Sequence, residues 1–92
     1  MNTKQLEKEL RVVNTLGIHA RPAAMIVRAM QKYDAHIYLI YNGNRRNAKS
    51  VLQILSLGAP KDAEIIAIAD GEDAQSALQE LEEIFDSGFG EE

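Results

Sequence analysis

His36-Ile37-Tyr38-Leu39-Ile40-Tyr41-Asn42-Gly43 is the stretch whose reading decides the fold. Its β-branched and aromatic residues suit a strand. Asn42-Gly43 suits a two-residue hairpin turn, in which both central residues take positive φ. A brief return strand is expected around Arg46–Ala48. Ser50 and Gln53 then fit a capping box, opening a short helix that stops near Gly58 with Pro60 just beyond. Ala63–Ala69 reads as a further strand and Asp70-Gly71 as a turn. Ala74, Ala77, Leu78, Leu81, Ile84 and Phe85 recur at the spacing of an amphipathic helix. Glu72 and Asp73 are expected in its first turn, where they suit the positive end of the helix dipole. Toward the N-terminus, Leu10, Val12 and Val13 suggest a short strand that ends in a turn at Asn14–Gly17. Pro22 marks the start of a helix, and Ala20, Ala23, Ala24, Val27 and Met30 carry its period to about Lys32. The expected order is βαββαβα, a two-layer α+β sandwich with its helices on one face of the sheet.

The 92 residues are expected to form one domain spanning 1–92. A domain of this size buries only a little over about 60% of its unfolded surface, which favours chemistry on the surface over a deep pocket. The chain has no cysteine, so disulfides, thiolate chemistry and cysteine-based metal sites are excluded. No apolar run approaches the length of a membrane span and the start lacks a leader's apolar segment, so a cytoplasmic protein without membrane insertion is expected. Residues 1–7 are read either as a flexible extension or as a lengthening of the first strand. The net charge of −4 argues against nucleic acid as a general partner. A nucleic-acid domain using Arg45, Arg46 and Lys49 finds no base-stacking aromatic motif to support it. Charge is nevertheless segregated: residues 61–92 hold one lysine against eleven acidic residues, while Arg21, Arg28, Lys32, Arg45, Arg46 and Lys49 lie earlier. That asymmetry fits a basic face for an acidic partner or a phosphate, and equally fits ordinary solvated faces.

Gly17-Ile18-His19-Ala20-Arg21-Pro22 groups three chemical functions within a few residues. A neutral imidazole carries a nucleophilic lone pair. The start of a helix offers unpaired N–H groups and partial positive charge to an anion. Arg21 adds a planar fork suited to phosphate oxygens. Taken alone, His19 fits a loop or cap residue just as well. His36 reads as a strand residue, and no metal or cofactor is expected from two histidines.

Leu16-Gly17-Ile18-His19-Ala20-Arg21-Pro22-Ala23 resembles the active-site signature of the HPr family, the phosphocarriers of the phosphoenolpyruvate-dependent phosphotransferase system. Asn47-Ala48-Lys49-Ser50, Leu55-Ser56-Leu57-Gly58 and Ser87-Gly88-Phe89-Gly90 fit family patterns in the same order. The resemblance implies an HPr-like open-faced β-sandwich, with a four-stranded antiparallel sheet and three helices on one face. It implies that Enzyme I phosphorylates His19 on Nδ1, that Arg21 stabilises the phosphohistidine, and that an Enzyme IIA-type protein accepts the group. Such a chain is expected to act as a phosphoryl carrier rather than as a self-sufficient enzyme, and a monomer is expected.

Ser50 aligns under that resemblance with a serine phosphorylated in many bacterial members by HPr kinase/phosphorylase. Its capping role is the plain alternative, worth about 1 kcal/mol to the helix. Val51, Leu52 and Leu55, with Arg28, are the expected docking residues, while Ile54 and Leu57 are expected in the core. A second functional reading is a regulatory module of the nitrogen-type branch, which acts by docking on partners such as a transcriptional regulator. The ending Asp86-Ser87-Gly88-Phe89-Gly90-Glu91-Glu92 is similar to that branch, and the Asn47–Ser50 and Leu55–Gly58 motifs to the sugar-type branch.

Overall fold

The structure, a computed structural model, describes residues 5–91. Its elements follow the expected order: β1 (Gln5–Arg11), α1 (Ala20–Met30), β2 (His36–Tyr41), β3 (Asn44–Asn47), α2 (Val51–Leu55), β4 (Glu64–Asp70) and α3 (Ala74–Asp86), then a 3₁₀ turn at Gly88–Gly90. The four strands form one sheet in the order β1-β4-β2-β3, and every neighbouring pair is antiparallel. β1 and β2 therefore run parallel with β4 between them, and α1 makes the crossover.

The period of two assigns the faces of the sheet. Leu10 of β1, Ile37 and Leu39 of β2, and Ile65, Ala67 and Ala69 of β4 are buried on one face. Ala23, Ile26, Val27 and Met30 of α1 and Ala77, Leu78, Leu81 and Phe85 of α3 join them in a single core. The opposite face carries Tyr38, Ile40, Ile66 and Ile68, with the Arg45 guanidinium 4.0 Å above the Tyr38 ring. The sandwich is open on that side.

Several elements differ in detail from the expected ones. β1 starts at Gln5, so residues 5–7 belong to the strand, and Met1–Lys4 of the expected extension lie outside the described residues. Charges interrupt the alternation in β1, and its pairing with β4 supplies what propensity does not; those charges also suit an edge strand. Val12 lies past the strand but is fully buried, exchanging backbone bonds with Ala63 and Asp62. At the hairpin, Asn42 and Gly43 both take positive φ, 52° and 77°. The return strand spans 44–47, and Ala48 still donates to the Ile37 carbonyl at 2.8 Å. Pro22 falls at the third helical position, where a missing N–H costs as little as at the first.

Two capping expectations change. Ser50 Oγ does accept from the Gln53 N–H at 3.3 Å, but the Gln53 side chain accepts from the Asn47 N–H at 2.8 Å. The Ser50 N–H that a reciprocal box would need already donates to the Asn47 carbonyl. Asp73 precedes α3 instead of entering its first turn. Its carboxylate accepts from the Asp34 and Ala35 N–H groups at 2.8 and 2.9 Å, clasping the α1–β2 loop.

Two contacts set the rim on which His19 stands. The Gly17 φ of +70° lets the backbone press against the α2–β4 connection, where Ile18 N–H donates to the Ala59 carbonyl at 3.0 Å. At the other end of the chain Phe89 is buried with its ring 5.0 Å from that of Phe85, edge to face. Phe89 holds a φ of 58°, a cost that burial of the ring offsets.

A Cβ at Gly17 would lie 2.5 Å from the Ala59 carbonyl oxygen and 2.9 Å from Pro60 Cα, whereas one at Gly43 would meet nothing within 4 Å. Both Gly→Ala variants should lose about 1–2 kcal/mol from the left-handed backbone. Gly17→Ala should lose further stability from the clash. Each kcal/mol lowers the melting temperature by about 4–8 °C in a domain of this size. Equal melting temperatures for the two variants would contradict the close approach at Gly17.

Candidate active site

His19 is the N-cap residue of α1, with extended backbone and no side-chain bond to its own helix. The first backbone bond into the helix runs from Ala23 N–H to the His19 carbonyl at 3.0 Å. The N–H groups of Ala20 and Arg21 lie before it, where helix geometry provides no acceptor, and Pro22 has none to satisfy. The imidazole is free of helix duties and its side chain is 37% exposed.

The ring is gripped from the other end of the chain. Nε2 lies 2.9 and 2.8 Å from the two carboxylate oxygens of Glu91, 72 residues away. An ionised carboxylate has only acceptors, so Nε2–H is the donor. Glu91 is 12% exposed and also accepts from Asn14 Nδ2 at 3.0 Å. Asn14, 1% exposed, uses the same amide nitrogen to donate to the Gly17 carbonyl at 2.8 Å. Two acceptors facing that atom identify it as nitrogen and set the orientation of the amide. Gly88-Phe89-Gly90 returns the chain to this point, all three residues having positive φ. The core position of Phe89 thus decides where the Glu91 carboxylate falls.

Arg21 stands one position into the helix from His19's neighbour, with Nη1 3.9 Å from Glu91 Oε2 and its side chain 69% exposed. At that distance and exposure it is a loose ion pair. Glu91 is held below its ordinary value of 4.5, first by the hydrogen bond from His19, then by that from Asn14 and the charges of His19 and Arg21, against the opposing effect of desolvation.

The other residues singled out from sequence are placed as follows. α2 packs on α1, and of its apolar residues Ile54 and the following Leu57 are buried while Leu55 is partly covered. Val51 and Leu52 remain exposed, the latter at 80%. Ser50 is half-buried at the start of that helix. Arg28 lies away from this group, lining a shallow groove between α1 and α3 with Met25, Lys32 and Ile84. His36 is exposed on β2. Among the described residues no three potential metal-ligating side chains gather, and no helix is long and apolar enough to cross a membrane.

Two residues of the site do not stand out in the sequence: Asn14, which reads only as a turn residue, and Glu91. Leu16, the first residue of the signature, is 72% exposed beside the Gly17 turn, which the sequence does not indicate. A signal for Glu91 is present: Phe89 is a large apolar residue between two glycines, and its burial would draw Glu91, two residues on, inward.

With this geometry in view, the family described as "PTS HPr component phosphorylation site" matches residues 6–87. The chain is 40% identical over 88 residues to the phosphocarrier protein HPr of Chlamydia pneumoniae, covering 96% of this chain and 82% of that one. It is 39% identical over 85 residues to the phosphocarrier protein HPr of Treponema pallidum, covering 92% and 97%. The crystal structure of HPr from Thermoanaerobacter tengcongensis superposes with a TM-score of 0.90 at 34% identity, over 95% of this chain and 98% of that one.

The lowered Glu91 titration has a definite sign. Its contribution to stability is complete above the unfolded value of 4.5 and is lost as pH falls through the lower native value. Carboxyl ¹³C NMR should find Glu91 titrating below that value, and His19→Ala should move it back upward. An unchanged Glu91 titration in His19→Ala would show that the ring is not its main partner.

Proposed function

This chain belongs to the HPr family, the phosphocarriers of the phosphotransferase system, and from that premise we propose that His19 is its phosphoryl acceptor. It takes the group from phosphorylated Enzyme I and passes it to an Enzyme IIA-type protein. The observation that carries this reading is the placement of His19: half-exposed at the N-terminus of an eleven-residue helix, with Arg21 beside it. The helix end supplies partial positive charge and free N–H groups to a phosphoryl anion. Arg21 supplies a mobile cation that turns from its loose contact with Glu91 to the phosphate oxygens. Transfer of this kind depends on positioning and charge, with little covalent work for the protein itself. A site on the rim can therefore meet donor and acceptor proteins in turn, and exposed Leu16, Val51 and Leu52 offer apolar surface for docking.

Ser50 is the proposed regulatory position, modified by an HPr kinase/phosphorylase. A phosphate there would bring about −1.5 to −2 charges next to Val51 and Leu52. An acidic partner would then dock less well. This supports a second role in regulation, alongside transfer through His19.

Incubation with phosphoenolpyruvate and a matching Enzyme I should produce an acid-labile, base-stable phosphoryl group that is absent from His19→Ala. Its persistence in that variant would overturn the assignment. Arg21→Ala should slow transfer by about tenfold, the loss of one charge-assisted bond to a partly solvated phosphate. With ATP and the kinase, label on the unmutated protein should disappear in Ser50→Ala; label that survives, or an unmutated protein that takes none, would remove Ser50 from the account.

A further inference from the structure

Glu91 faces one specific nitrogen of His19, and both its oxygens are within 2.9 Å of it. If the neutral ring carried its proton on Nδ1, the Nε2 lone pair would point straight at those anionic oxygens, which is repulsive. With the proton on Nε2 the same contact becomes a charge-assisted hydrogen bond. The lone pair then resides on Nδ1 alone. The carboxylate cannot easily move aside to relieve the wrong tautomer. It is 12% exposed, receives a bond from the buried amide of Asn14, and follows directly after Gly90 and the core residue Phe89.

We propose that Glu91, held by Asn14, is a positioning residue that fixes His19 in the Nε2–H tautomer, which leaves the lone pair on Nδ1, the nitrogen the family resemblance already implies, and neutralises in place the ring charge created by phosphorylation. This rests on the reading of His19 as phosphoryl acceptor. In the first transfer the Nδ1 lone pair forms a bond to phosphorus, while the donor's bond to phosphorus breaks and its electron pair leaves with the donor. The ring now holds the phosphoryl group on Nδ1 and a proton on Nε2, and is formally cationic. The Glu91 carboxylate stabilises that cation, as a carboxylate stabilises the imidazolium of a hydrolytic triad. In the second transfer the acceptor's nucleophile attacks phosphorus and the Nδ1–P electron pair returns to the ring. Nε2 keeps its proton throughout, so neither step needs proton transfer at His19. Protonated Nε2 also makes the ring a good leaving group, which a carrier requires. The charged and polar groups facing the carboxylate are His19, Asn14 and Arg21.

The test uses the full chain labelled with ¹⁵N-histidine. In the unmodified protein, ring ¹⁵N shifts of neutral His19 should show the Nε2–H tautomer alone, and Glu91→Ala should show a mixture of both. After phosphorylation, loss of the Nε2 proton should occur about one pH unit lower in Glu91→Gln than in the unmutated protein, since the amide keeps the size but removes the opposing charge. An unchanged tautomer in Glu91→Ala, or an unchanged Nε2 titration in Glu91→Gln, overturns the proposal. Neither outcome bears on whether Enzyme I phosphorylates His19: a protein that takes no label from Enzyme I defeats the reading beneath it, while the tautomer measurement needs no phosphate.

Discussion

One-sided burial of the sheet is the constraint on which the rest of the molecule depends. A four-stranded sheet of short strands gains stability only when one face is removed from water. Ile37, Leu39, Ile65, Ala67 and Leu10 do this by packing beneath α1 and α3. The crossover α1 must then lie over the sheet, and its first turn arrives at the rim. His19 is presented there as a consequence of the packing, at a helix end with backbone donors still to be satisfied. The same requirement buries Phe89 against Phe85, which turns the last residues back across that rim.

A carrier has needs that compete in so small a domain. The acceptor must be open to two partner proteins, yet its reactive nitrogen must be defined. On the proposed reading both demands fall on one ring, that of His19. The His19 side chain is 37% exposed, while its Nε2 is tied to Glu91 and through it to buried Asn14. The carboxylate that bonds the ring comes from Glu91, which follows Phe89 of the core and lies outside regular secondary structure.

Local rules were overridden wherever a tertiary partner reached a polar group first. Ser50 and Gln53 have the spacing of a reciprocal capping box, but the Ser50 N–H is occupied and Gln53 serves Asn47 instead. Asp73 would favour the dipole of α3 from its first turn, but binds two backbone N–H groups of the neighbouring loop, where it joins elements distant in sequence. β1 is longer than its apolar residues suggest, because a backbone ladder with β4 does not require β-branched side chains.

The sequence by itself determined the element order, the hairpin at Asn42-Gly43, the cores of α1 and α3 from their period, and the grouping of His19, Arg21 and Pro22. All of these are local: they rest on backbone preferences, on side-chain periodicity or on residues a few positions apart. Only the tertiary structure decided what lies on the far side of the His19 ring. The contact spans 72 residues, and it exists because burial of Phe89 closes the chain on itself. No periodicity records such a contact, since hydrophobic packing specifies that an aromatic residue is buried but leaves its polar neighbour to fall where the fold directs it.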